Sequence, residues 1–136
     1  MSTKIFVNLP VKDLDHSREF FTKLGYSFDP QFSDENAACL VISDSIYAML
    51  LVEPFFRTFT RKEIADSSVS VEVILTLSAD SREQVDELVD RALASGGSPA
   101  AEAQDHGHMY GRSFLDPDGH QWEIVWMDVS AAQEQG

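Results

Sequence analysis

The feature that most constrains the fold is an order of elements that occurs twice: a strand, a helix and then three short strands. The first copy begins at the alternating segment Ile5–Val11, and the second begins at the β-branched segment Val71–Leu77. The repeat lies in the order of elements, because few residues are identical between the halves. A chain of 136 residues with this order predicts one α+β domain made of two βαβββ modules.

Both helices are predicted from apolar residues at helical spacing and from signals at their ends. The first begins after Asp13 or Asp15, either of which can cap it, and stops at Gly25. The second is expected to begin at Asp80, with Glu83 completing a capping box, and to stop at the glycine pair that follows it. Each helix therefore has a predicted start and stop of its own.

Three strand-like segments follow each helix. After the first helix they are Tyr26–Phe28, Ala37–Ile42 and Ile46–Val52. After the second helix they are Ser98–Ala103, Tyr110–Leu115 and Gln121–Met127. The last two are joined by Asp-Pro-Asp-Gly at residues 116–119, which has proline and glycine where a type I turn prefers them.

These segments set the expected boundaries. A single domain is expected over residues 1–130, with modules at about 1–57 and 68–127 and a frayed tail at 131–136. The segment Pro54–Ser68 separates the modules and contains Phe55, Phe56 and Phe59. Because a mere tether would be more polar, these aromatic residues predict a helical turn or a lid.

Composition excludes several classes of function. Ten basic and 23 acidic residues give a net charge of −13, which disfavours nucleic-acid binding; Arg57, Arg61 and Lys62 are the densest basic group. No apolar run approaches the roughly 20 residues of a membrane span, and the N-terminus lacks the features of a secretory signal. The lone Cys39 cannot form an internal disulfide, so we expect a core cysteine and a cytoplasmic protein.

Two segments carry a resemblance to a known family. LPVKDLDHSREFFTKLG near the start and SFLDPDGHQWEIVW near the end resemble the opening and closing segments of the vicinal oxygen chelate superfamily. This superfamily is also called the glyoxalase/bleomycin resistance/dioxygenase fold, and the resemblance covers residues 4–127. Two further segments, MLLVEPFFRTFT and LSADSREQVDELVDRALASGG, resemble its branch related to lactoylglutathione lyase, most of which has no assigned reaction.

The resemblance implies two modules whose strands curl into one mixed sheet around a cavity. Enzymes of the superfamily hold a divalent metal there, with ligands on the first and last strands of each module. Those positions align here with Phe6, Met49, Glu72 and Glu123. Phe6 has no donor atom and Met49 offers only a soft thioether, which leaves Glu72 and Glu123 as predicted metal ligands. The sequence therefore leaves two possibilities open, a bound divalent metal or no cofactor at all.

Glu123 is the first candidate for chemistry. It alternates with Gln121 and Val125 on one face of its strand, whereas Trp122 and Ile124 share the other. An isolated carboxylate in a buried place is costly, so this one must find a partner. We predict a catalytic general base or a ligand-contacting acid; the alternative is a structural glutamate hydrogen-bonded to Arg112 or Tyr110.

Other polar and aromatic residues are candidates for contact with a substrate. Asn8 shares a face with Phe6, and the run from His106 to Arg112 alternates polar side chains that can form a wall for an anionic or phenolic ligand. The alternative for this run is a flexible loop that ends in an edge strand, with solvated histidines. The predicted substrate contacts are Phe6, Asn8, Met49, Tyr110 and Arg112.

Two functions are carried forward from the sequence. The first is an enzyme, a lyase or dioxygenase acting on a small oxygenated or aromatic molecule. The second is a metal-free protein that binds and sequesters a drug or metabolite. The expected partners are a small-molecule ligand and, by resemblance, a second copy of the chain in a homodimer; neither nucleic acid nor a membrane is expected.

Overall fold

The computed structural model describes residues 3–128 and residue 130, and its internal contacts divide the chain between Asp66 and Ser67 into two units. Each unit has its own mixed sheet packed against a helix, and the order β-α-β-β-β occurs in both. The predicted α+β class and the doubled module are therefore confirmed. Within the described residues, no helix is both long and apolar enough to cross a membrane.

The first unit has a four-stranded sheet. Its elements are β1 (Ile5–Val11), α1 (Leu14–Lys23), β2 (Ser27–Asp29), a 3-10 turn (Pro30–Phe32), β3 (Ala37–Val41), β4 (Ile46–Val52), α2 (Glu53–Phe56) and a second 3-10 turn (Arg57–Phe59). The strand order is β1-β4-β3-β2; β1 runs parallel to β4, and the other pairs are antiparallel. The helical turns after β4 match the prediction made from the phenylalanines of that segment.

Helix α1 forms because both of its ends are capped and one face is apolar. The Asp13 carboxylate accepts a hydrogen bond from the backbone N–H of His16 at 3.1 Å, which satisfies a free donor of the first turn. Gly25 adopts a φ of 104°, and the N–H of Tyr26 donates to the Phe21 carbonyl, which closes the helix. Leu14 and Phe20 are among the residues that α1 buries in the core of this unit.

The second unit repeats this plan. Its elements are β5 (Ile74–Ala79), α3 (Arg82–Ala94), β6 (Ser98–Pro99), β7 (Gln104–Asp105), β8 (Met109–Leu115) and β9 (Gln121–Met127). The strand order is β5-β9-β8-β6, with β7 also paired to β8. Strand β5 runs parallel to β9, whereas β8 is antiparallel to β9.

Strand β5 begins three residues later than its β-branched composition predicts. Its partner β9 begins at Gln121, which lies opposite Ile74, and the residues before Gln121 belong to a turn. Val71 and Val73 therefore have no neighbouring strand and stay exposed. As a consequence Glu72, predicted to lie on this strand, lies instead in an exposed bend before it.

The predicted strand Ser98–Ala103 is broken into two short ones. Ser98–Pro99 and Gln104–Asp105 both pair with β8, but the residues between them bulge away because there are two more of them than β8 can match. The Ser113 hydroxyl compensates there, since it accepts from the N–H of Ala101 at 2.9 Å and donates to the Ala101 carbonyl. A side chain thus replaces the missing ladder bonds.

Helix α3 is capped one residue later than predicted. Ser81, rather than Asp80, is the N-cap, and its hydroxyl accepts from the N–H of Gln84 at 3.1 Å. The Gln84 side chain in turn accepts from the backbone N–H of Asp80, so Gln84 takes the role expected of Glu83. The capping box is therefore present, but each of its two members lies one residue later than predicted.

The turn between β8 and β9 is fixed by a buried carboxylate. One oxygen of Asp116 accepts from the backbone N–H groups of Asp118 and His120, and the other accepts from the Trp122 indole N–H, all at 3.0 Å. Gly119 has a φ of 89°, and a Cβ there would lie 2.6 Å from the Ser67 carbonyl oxygen. Only glycine fits this position, and its N–H bond to the Asp116 carbonyl shows that residues 116–119 form a β-turn, as predicted.

Candidate functional site

The two faces of the second unit's sheet differ in what they contact. Trp122 and Ile124 of β9 are buried on the side of α3. Glu123 points to the other side, opposite Thr76 of β5 and Ser113 of β8 in the strand register. The predicted alternation along β9 is therefore confirmed. We call this second side the open face, formed by Thr76 and Ser78 of β5 and by Glu123, Val125 and Met127 of β9.

Glu123 is half-buried and has no partner among the residues that the structure describes. Across residues 3–128, no side chain or backbone group forms a hydrogen bond or an ion pair with its carboxylate. The same holds for the hydroxyls of Thr76 and Ser78, which are exposed on the neighbouring strand. The Ser113 hydroxyl is not available to Glu123, because it is bound to Ala101. Three polar groups on the open face thus keep their hydrogen-bonding capacity.

An open groove of about 570 Å³ runs along the ends of β5 and β9. It begins directly beside Glu123, since Thr76 is the register partner of that residue. It is lined by Thr76, Ser78, Ala79, Asp80, Val125, Trp126 and Met127. Its lining combines hydroxyl, carboxylate and apolar side chains, and the groove is open to solvent.

Tyr110 and Arg112 lie on the opposite face of the sheet from Glu123. The Tyr110 hydroxyl donates to a carboxylate oxygen of Asp86 on α3 at 2.6 Å. The Arg112 guanidinium contacts Asp86 and Asp90, which are one helical turn apart, both at 2.9 Å. The alternative in which Glu123 is bonded to Tyr110 or Arg112 is therefore wrong, because both side chains are directed at the acidic face of α3.

These contacts change how the groups titrate. Donation by the Tyr110 hydroxyl, followed by that of Arg112, holds the pKa of Asp86 below its ordinary value, against the opposing effect of burial. The same hydrogen bond to Asp86 raises the pKa of Tyr110 above its ordinary value. Both residues are held in the protonation states that preserve their contact at neutral pH.

Arg82 anchors the loop that contains His106 and His108. Its guanidinium donates to both carboxylate oxygens of Asp105 at 2.9 and 2.8 Å and to the Gly107 carbonyl at 2.9 Å. It also lies over the rings of Tyr110 and Trp126, at 5.1 and 5.2 Å from their centres. The hydrogen bond from Arg82 holds the pKa of Asp105 far below its ordinary value.

The predicted polar wall of His106, His108, Tyr110 and Arg112 does not form along one strand. His106 and His108 lie in the loop before β8, which begins at Met109. His106 is exposed, and its N–H donates to the Met109 carbonyl as the loop turns. The histidines do lie in a loop, as the alternative has it, but Arg82 anchors this loop to the start of α3, and the strand that follows it, β8, is paired on both sides and is not an edge strand.

In the first unit, the predicted contact residues lie along β1 and β4. Phe6 stacks on Tyr47 with ring centres 4.8 Å apart and planes 10° from parallel, and 49% of its surface is exposed. The Lys4 ammonium lies 5.7 Å from the centre of the Tyr47 ring. Asn8 is exposed and pairs in register with Met49. The structure thus brings Phe6, Asn8 and Met49 onto one side of this sheet.

The donors at the family's metal positions do not fit a divalent cation. Phe6 and Met49 offer no hard ligand, and the residue beside Glu123 on β5 is Thr76 in place of the predicted Glu72. Among the residues that the structure describes, no three or more His, Cys, Asp or Glu side chains are grouped so that they can hold a metal ion. The predicted pair of metal ligands, Glu72 and Glu123, is therefore not brought together on the sheet.

Sequence reasoning missed the hydroxyls of the open face. The β-branched composition predicts a strand that begins at Val71, and this start places Glu72 on the strand as the polar candidate. A signal for the hydroxyls was present, because Thr76 and Ser78 alternate with the apolar residues Leu75 and Leu77. That alternation is the pattern of a strand with one polar face.

Comparison with known proteins supports the same fold. The profile of the Bleomycin resistance protein-like N-terminal family matches residues 3–43. A solved structure of the hypothetical protein SA1046 from S. aureus is 26% identical, with a TM-score of 0.77, over 93% of this chain and 95% of that one. No curated protein sequence matches the chain.

Two further solved structures share the fold at lower identity. One is a glyoxalase/bleomycin resistance protein/dioxygenase family enzyme from Burkholderia phytofirmans PsJN, at 17% identity and a TM-score of 0.78, over 93% of this chain and 99% of that one. The other is a bleomycin resistance determinant encoded on the transposon Tn5, at 18% identity and a TM-score of 0.66, with the same two coverages.

Proposed function

We propose that this chain is a metal-free small-molecule binding protein, on the premise of a fold shared with the vicinal oxygen chelate superfamily. The proposed ligand site is the open face of the second unit and the groove beside it. The observation that carries the proposal is the half-buried carboxylate of Glu123, which has no partner among the described residues.

The accessible carboxylate of Glu123 suits a binding role. Its oxygens keep contact with solvent, so a ligand with a donor group can take the place of that water. Glu123 accepts hydrogen bonds only, and the hydroxyls of Thr76 and Ser78 can both donate and accept. Together they suit the polar end of a ligand that carries a hydroxyl, a phenol or an amine.

The apolar side chains define the rest of the ligand. Val125 and Met127 share the open face with Glu123, and Trp126 lines the groove at its end. This combination favours a small oxygenated molecule with a flat or aromatic body. The net charge of −13 favours a cationic ligand over an anionic one.

In this proposal Glu123 recognises the ligand and does not act as a catalytic base. A bleomycin resistance determinant has the same fold, so this architecture accommodates a role in drug resistance. Phe6, Asn8 and Met49 stay proposed contacts on the first unit's sheet. Assembly as a homodimer and a cytoplasmic location are also proposed, from family resemblance and from composition.

The test is a thermal-shift screen of phenols, aromatic amines and cationic aromatic compounds, with and without added Mn²⁺, Zn²⁺ or Mg²⁺. A ligand present at about 100 times its Kd stabilises the folded state by roughly 2.7 kcal/mol, so a hit raises the melting temperature clearly. We expect hits without metal. We expect Glu123→Gln to weaken them by roughly tenfold or more, because a charge-assisted hydrogen bond is lost.

Glu72→Gln is the matched control, since it removes the same charge from an exposed bend of the same unit. It should leave every hit unchanged. Hits that need metal and are lost in both variants would instead support the metal-dependent enzyme. A screen without any hit that depends on Glu123 would overturn the proposed site.

A further inference from the structure

Three basic side chains of the first unit have no partner among the described residues of the protein. Arg57, Arg61 and Lys62 form no ion pair, side-chain hydrogen bond or ring contact within the part of the chain that the structure describes. They are three of only ten basic residues in a chain with 23 acidic ones. In such a chain a lysine or arginine finds a carboxylate easily, so three unpaired neighbours require an explanation.

The other basic residues show the contrast. Arg112 and Arg82 are bound to carboxylates, and Lys23 pairs with Glu19 at 3.0 Å. Arg18 donates to backbone carbonyls, and Lys4 lies over an aromatic ring. Lys12 and Arg91 each have an interaction as well. Within the described residues, the free cations are therefore confined to one short segment.

The same three residues line one open cavity of about 450 Å³. Its lining is completed by Thr60, Glu63 and Ile64, so that three positive charges face one negative charge. All of these residues belong to the first unit. The cavity is thus locally positive on a protein whose overall field repels anions.

The segment that presents these charges is ordered by its own contacts. The rings of Phe55 and Phe59 pack edge to face with centres 5.1 Å apart, and the Thr58 hydroxyl donates to the Phe55 carbonyl at 2.7 Å. Further along, the Thr60 hydroxyl accepts from the backbone N–H of Lys62 at 3.2 Å. These bonds fix the backbone on both sides of Arg61, which reduces the ordering that a ligand must impose.

We propose that this cavity is a second binding site, which takes a small oxyanion such as a phosphate or a carboxylate group. Two guanidinium groups can each bind an oxyanion through a pair of N–H donors, and the lysine ammonium adds a third charge. Neither the proposed ligand of the open face nor Glu123 is needed for this site. The two proposals therefore stand or fall separately.

The experiment is an NMR titration of the whole chain at low ionic strength, first with inorganic phosphate and then with a dicarboxylate, each against a chloride reference of equal ionic strength. We expect saturable shifts confined to the backbone amides of residues 57–64. Removing two of the cations in Arg57→Gln/Arg61→Gln should weaken the tighter anion by roughly tenfold or more, because charge-assisted hydrogen bonds are lost.

Lys12→Gln/Lys23→Gln removes the same number of charges elsewhere in the first unit and should change the affinity less than about twofold, because distant exposed charges are screened. Equal weakening in the two double variants would overturn the site, because the attraction would then depend only on net charge. Shifts that do not saturate would overturn it too. Shifts of residues 57–64 that follow protein concentration without added anion would assign the cavity to a second copy of the chain instead.

Discussion

The two faces of the second unit's sheet use the same kinds of side chain in opposite ways. Toward α3, Asp86 accepts from Tyr110 and Arg112, and the Asp116 carboxylate in the adjoining turn accepts three N–H groups. On the open face, Glu123 accepts none from the described residues. The difference separates polar groups that hold the fold together from a polar group left free to bind something else.

The comparison is informative because burial sets what each carboxylate needs. Asp116 is the more buried carboxylate, with 4% of its surface exposed, and burial raises its pKa above the ordinary value. Out of reach of water, it has protein donors on both oxygens. Glu123 is only half-buried and has none among the described residues. Water can supply its donors in the free protein, and the donor group of a ligand can replace that water.

The largest predicted effect follows from removing the best-satisfied carboxylate. Asp116→Ala leaves the indole N–H of Trp122, which is buried, and two backbone N–H groups without their acceptor. We expect a loss of about 3 kcal/mol in the free energy of unfolding, because each buried donor without a partner costs about 1–3 kcal/mol. Urea denaturation followed by tryptophan fluorescence measures it.

The first unit supplies the matched control. Asp44 also lies in a turn between two antiparallel strands, but its carboxylate is exposed and bonded to no described residue. Asp44→Ala should change the free energy of unfolding by less than about 0.5 kcal/mol. If both substitutions lower the free energy of unfolding equally, the hydrogen bonds to Asp116 do not stabilise the fold. That result would contradict the difference proposed between the two faces.

The second prediction concerns pH on the side of α3. In the folded protein the pKa of Asp86 lies below its ordinary value, so the ionised carboxylate stabilises the fold at pH values above that ordinary value. This stabilisation is lost as the pH falls through the pKa of the folded state. Tyr110→Phe removes the largest cause of this depression. At neutral pH we expect this substitution to lower the free energy of unfolding by about 0.5–1 kcal/mol, and the lower end is expected because the carboxylate is exposed. In acid the loss should be much smaller.

Denaturant unfolding of both proteins over a series of pH values measures the change. Tyr47→Phe is the control, because the Tyr47 hydroxyl donates to a backbone carbonyl, which does not titrate. Its cost should be the same at every pH. A cost of Tyr110→Phe that also stays constant would mean that Asp86 does not carry the effect.

The fold is more predictable from the sequence than the site, for a physical reason. Strands and helices follow from patterns within about ten residues, and the bounds predicted for Ile5–Val11, Ile46–Val52 and Gln121–Met127 are those observed. Pairing between distant strands cannot be deduced this way. It decides that Thr76 rather than Glu72 lies beside Glu123, because β5 begins only where β9 offers a partner.

The same limit applies to the orientation of polar side chains. The alternation of Tyr110 and Arg112 is visible in the sequence, but their partners, the carboxylates of α3, cannot be deduced from it. The face of Glu123 is predicted correctly, since the apolar neighbours Trp122 and Ile124 determine it. Apolar residues set the sheet's orientation, and the long-range ion pairs are consequences of it.

The smallest predicted effect is the one that separates structure from function most sharply. Glu123→Gln removes a charge that has no partner in the described protein, so the free protein should be unchanged or more stable by up to about 1 kcal/mol. Urea denaturation without ligand measures this, with Glu72→Gln as the exposed control. A loss of stability in Glu123→Gln alone would mean that the carboxylate has a structural partner after all. A gain would mean that the fold tolerates an unfavourable charge on its open face, as expected of a group kept for a ligand.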